Sequence, residues 1–96
     1  MGRAGCSMII NLTKEDFAAY RVGGFPMPWL EERFWYRLDD VLGIVIFDKM
    51  DKDWSFVVLT KSITDEIYCA VETGHSFGSK NEAMHALHDE MERVAK

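Results

Sequence analysis

The sequence predicts an α+β domain of two layers: a four-stranded antiparallel meander, preceded by a short helix and followed by a longer one packed on one face, α-β-β-β-β-α. Three observations carry this. The runs "FWYRL", "VLGIVIF", "WSFVVL" and "IYCAV" are rich in β-branched and aromatic residues. They are separated by short polar turns, Asp39-Asp40, "DKMDKD" and "TKSITDE". After them, in "SFGSKNEAMHALHDEMERVAK", Met84, Leu87, Met91 and Val94 recur at helical spacing on one face.

Taken in order, residues 1–10 read as a flexible leader and residues 11–96 as one domain, with Met8 a possible start of the ordered chain. In "LTKEDFAAYRV", Thr13 can accept from the first helical amides, Asp16 stands at the third helical position, and Leu12 can staple onto Phe17. A helix from Lys14 to about Arg21 is expected, ended by Gly23 and Gly24. Pro26 and Pro28 then exclude a central strand, so "FPMPWLEE" reads as a strap. After the four strands, "ETGHSFG" reads as a loop in which Gly74 and Gly78 supply turn geometry. Ser79 and Glu82 then form a capping box for the last helix, whose His85, Asp89 and Glu92 should face solvent.

Size and charge exclude several classes. A 96-residue chain that is 48% hydrophobic and 28% charged has the composition of a folded domain, with room for one core. The 11 basic residues against 16 acidic ones give a formal charge of −5, which repels phosphate unless a basic face is segregated. No apolar run reaches the ~18 residues of a membrane span, and "MGRAGCSMII" lacks a signal-peptide core. A cytoplasmic location with Cys6 and Cys69 as free thiols is therefore expected.

No complete chemical constellation emerges, so catalytic, metal and cofactor sites are all expected to be absent. His85, His88, Asp89 and Glu92 are spaced to share a divalent ion, but they occupy the helix face where solvated polar residues belong. Asp48, Asp51 and Asp53 invite calcium. Counted from Asp51, however, Phe56 stands where an EF-hand needs Gly and Ser62 where it needs Glu. Cys69, Ser76 and His75 lack any nucleophile signature.

"VLGIVIF" and "FVVL" are apolar at successive positions, so both faces of the central strands must be covered. The last helix covers one. The second, carrying a set such as Trp54, Phe56 and Val58, is left to the first helix, the strap, a partner or a second copy. Phe25, Met27, Trp29, Trp54 and Phe56 are thus the candidate partner-binding residues, with acidic turns as a polar rim.

Two resemblances bear on this. "GSKNEA", Gly78 to Ala83, resembles the opening of the last helix in the double-stranded-RNA-binding domain, which implies a nucleic-acid role for Lys80. The family's second basic position is here Asn81, and Asp89, Glu90 and Glu92 make the helix acidic further on. From Phe34 to about Met91, the pattern around "LGIVIFDKMDKDWSFVVL" is similar to small, functionally unassigned proteins of bacteria, their plasmids and phages. That similarity implies an accessory protein, encoded on a mobile element and acting by binding as an inhibitor or regulator. The sequence reading is accordingly a non-enzymatic protein-binding or self-associating module. Its alternative is a nucleic-acid-binding regulatory domain.

Overall fold

Strand and turn chemistry sort the chain into one antiparallel sheet with a helix on each side. The structure, a computed structural model, describes residues 9–23, 33–64 and 66–95. The elements are β1 (Ile10–Leu12), α1 (Lys14–Ala18), β2 (Arg33–Leu38), β3 (Val41–Asp48), β4 (Asp53–Lys61), β5 (Tyr68–Phe77) and α2 (Lys80–Ala95). The sheet has five strands in the order β1-β2-β3-β4-β5. This corrects the expected four: Ile10, inside the expected leader, pairs with Arg37, and Leu12 pairs with Trp35. A three-residue strand has almost no periodic signal, and it exists only because β2 offers it a ladder.

The turns follow their residues. Leu38 pairs with Val41 across a two-residue loop in which Asp39 adopts φ 53°, a conformation Asp tolerates. At the β3–β4 tip the Asp48 Oδ1 accepts from the Met50 amide at 2.9 Å and the Asp51 amide at 3.2 Å, and Lys52 donates to the Asp48 carbonyl at 2.7 Å.

Side-chain parity then divides the core. On one face Tyr36, Leu38, Val41, Val45, Phe56 and Val58 pack under Ala83, Leu87 and Met91 of α2. Met84 and Val94 are half-buried beside them, so the predicted stripe is core, with Ala83 added. Gly43 permits this close packing, because a methyl there would collide with Met91 Sδ and Leu87 Cδ1. Ser79 Oγ accepts the Glu82 amide at 3.2 Å, while the Glu82 carboxylate reaches past the cap to the Gly78 amide at 2.9 Å. On the other face Leu42, Ile44, Val57, Leu59 and Tyr68 cluster with Phe17 of α1.

α1 is held by a reciprocal cap: the Asp16 amide donates to Thr13 Oγ1 at 3.0 Å and the Thr13 amide to Asp16 Oδ2 at 3.4 Å. The helix ends at Ala18, short of the expected Arg21. The chain leaves it to pair elsewhere, with Val22 forming a parallel bridge to Tyr68.

β5 is the largest departure from the sequence reading. It continues through Gly74, His75 and Ser76, expected as loop, to Phe77. Gly74 is no breaker here: the Phe56 ring lies over it and occupies the space of a Cβ. Relative to β4, β5 carries one extra residue between Gly74 and Phe77 and another between Ala70 and Glu72. These are two bulges, and Ser76 takes φ 68° in the first.

Candidate partner-binding surface

Of the sequence-predicted partner residues, Trp54 and Phe56 fall among the described residues. Phe25, Met27 and Trp29 lie outside the described residues. Trp54 and Phe56 belong to the α2 face and not to the second face, a correction fixed by the pairing of Val57 and Leu59 into the opposite cluster. Phe56 is 4% exposed, locked between Gly74 and the Phe77 ring at 5.7 Å. The centre of the second face is closed within a single chain, since Leu42, Ile44 and Leu59 have no exposed surface. A partner is not needed to cover that centre.

Trp54 does reach a partly open site at the end of the sheet near the start of α2. Its half-buried ring stands 5.1 Å from that of Phe47 and 6.2 Å from that of Phe34. The Lys80 ammonium sits over the Phe34 ring at 3.7 Å. Alongside is a groove of about 340 Å³, lined by Asn11, Arg33, Phe34, Tyr36 and Lys80 among others. The structure thus brings together Trp54 and Lys80, which the sequence assigned to different functions.

The polar clusters have local explanations. Carboxylates of Asp48, Asp51 and Asp53 come within 4.8 Å of one another, but Asp48 is already holding its turn through two backbone amides. His85, Asp89 and Glu92 are exposed, while His88 turns inward until its ring meets Tyr36 edge-on at 5.2 Å. Its buried Nε2 finds no hydrogen-bond partner among the described residues. Burial pushes the His88 imidazole below its ordinary value, and neighbouring His85 adds to this against the smaller opposing pulls of Glu92 and Asp89. Burial likewise raises the Tyr36 phenol. A cleft of about 420 Å³ at the other end of the sheet has Asp39, Asp40, Lys61 and Glu66 around Val41 and Val94.

A largely exposed strand is one the sequence reading split in two. β5 is an edge strand of ten residues, and Cys69 to Thr73, His75 and Ser76 are exposed. On its outer side the described residues pair with the start: the Gly23 amide donates to the Tyr68 carbonyl at 3.0 Å and the Tyr68 amide to the Arg21 carbonyl at 2.7 Å. Beyond Tyr68 no described residue pairs with that edge. The strand contains neither Lys, Arg nor Pro, the residues that usually blunt such edges, and Val71 is 49% exposed. The strand-forming pattern of "IYCAV" flagged the first part of β5, but Gly74 concealed the continuation.

Compared with protein-family models, with curated proteins and with solved structures, the chain matches none. Among the described residues no helix is long and apolar enough to cross a membrane.

Proposed function

We propose that the domain is a protein-binding module without catalytic chemistry of its own, and that it binds by adding a partner's strand along the outer edge of β5. The observation that carries this reading is the open edge itself: after Tyr68, the backbone of an exposed strand runs to Phe77 with no outer neighbour among the described residues. Unpaired edge amides and carbonyls supply affinity to any extended segment, and side chains at alternate positions select among segments. Cys69, His75 and Ser76 make no hydrogen bonds to one another, which favours binding over nucleophilic chemistry. An accessory, regulatory or inhibitory role suits a module of this kind.

The nucleic-acid alternative would centre on Lys80 and the Phe34–Trp54 rings, because bases stack on aromatic side chains beside cations. The formal charge of −5 weighs against it.

Site-specific photo-crosslinking tests the strand reading. A crosslinker at Val71 should capture a discrete protein in cells, while one at Met50, 91% exposed on the far hairpin, should not. Equal capture at both positions would count against β5 as the binding element.

A further inference from the structure

The chemistry along β5 says more about its occupant, given the strand-addition reading on which this inference rests. Glu72 is the one carboxylate in the strand, and it lies on the α2 side opposite Val58, between the two bulges. Its nearest cation, Arg93, stands 4.0 Å away but is bound more tightly by Glu90 at 2.6 Å, so the group of three carries a net negative charge. All three side chains reach solvent, Glu72 at 44% and Arg93 at 62%.

Beside Glu72, the exposed Val71 offers an apolar contact. A second copy of the chain fits this edge poorly. Two copies would each bring a formal charge of −5, and two bulges break the flat register on which edge-to-edge pairing of identical strands depends.

We infer that β5 takes up an extended, basic and apolar segment of another protein, with a Lys or Arg opposite Glu72 and an apolar side chain against Val71. The backbone supplies the general attraction. The Glu72 carboxylate, made more negative in its surroundings by Glu90, supplies the charge preference, since opposite charges across a strand pair attract and like charges repel.

Random displayed peptides about ten residues long, the length of β5, should be panned on the full chain and counter-selected on Glu72→Lys. Enriched peptides should alternate apolar with basic residues. A synthetic representative, followed by fluorescence anisotropy, should bind Glu72→Lys about tenfold more weakly and recover when its own cation is exchanged for Glu. N-methylation of alternate amides should abolish binding. Enrichment of acidic peptides, or equal binding to Glu72→Lys, would overturn the inference; if such peptides still lose binding on N-methylation, strand addition survives its failure. A wild-type dimer in sedimentation that Val71→Lys dissociates would overturn it too, identifying the occupant as a second copy. Failure to enrich any peptide overturns the inference, and crosslinking at Val71 then decides separately whether the edge binds protein at all.

Discussion

At one edge of the sheet β1 offers three residues, all paired inward to β2, before the chain turns at once into capped α1; at the other, β5 runs for ten residues, and beyond Tyr68 no described residue pairs with its outer side. Both are edges of one sheet and share one core. They differ in how the chain treats the exposed backbone. β1 is too short to template another strand, which is one ordinary way of protecting an edge. β5 is long, nearly uncharged and interrupted by two bulges, which break the flat register that pairing of two such edges would need. Edge length and chemistry, more than core packing, thus mark where this domain can make contacts.

The comparison breaks first if the shared core is removed. Leu87→Ala leaves a cavity between α2 and both central strands and should cost about 2 to 4 kcal/mol in chemical denaturation, destabilising the two edges together. A loss below about 0.5 kcal/mol, as at surface sites, would show that α2 is not their common support.

Gly74→Val sharpens the difference instead. It forces the Phe56 ring from its place and should cost about 1 to 3 kcal/mol. Amide exchange should quicken in β4 and β5 while β1 and β2 keep most of their protection. Thr13→Ala acts at the opposite edge with a smaller effect, about 1 kcal/mol, because it removes the reciprocal cap that stops the chain after β1. Its signature is faster exchange in α1 and β1, with β5 unchanged.

The smallest effect is a pH slope. Burial disfavours protonated His88 in the folded state, so as pH falls through about 6.5 the unfolded chain takes up that proton first. The stability contributed by this group is therefore present above that value, falls below it, and levels off once folded His88 is itself protonated. His88→Gln should flatten the stability profile between about pH 6.5 and 5, above the range where carboxylates dominate. An unchanged slope would mean that the imidazole against Tyr36 is not held neutral.

How legible this was in the sequence depended on the signal each element carries. β2, β3, β4 and α2 have long apolar patterns, and α1 has a cap of recognisable spacing, so each was readable in place. β1 was not, because three residues hold less than two periods of alternation. The second half of β5 was hidden by Gly74, whose reason for being glycine is a ring from the neighbouring strand. The face of Trp54 and Phe56 turned on a one-residue choice of register, and a single step exchanges the two faces. The same limit applies to the candidate site: Trp54 and Lys80 were both singled out, but their meeting through Phe34 is a tertiary fact. The exposed edge is a property of strand order, which no local pattern encodes.

Amide hydrogen exchange along β5, with and without the basic peptide selected on the intact domain, tests the central claim most directly. Free, the amides from Cys69 to Phe77 should exchange faster than those of β3, which is paired on both sides. With the peptide bound, β5 should gain protection and no other strand should gain comparably. Binding that leaves β5 exchange unchanged, or that protects the Phe34–Trp54 end instead, would contradict it.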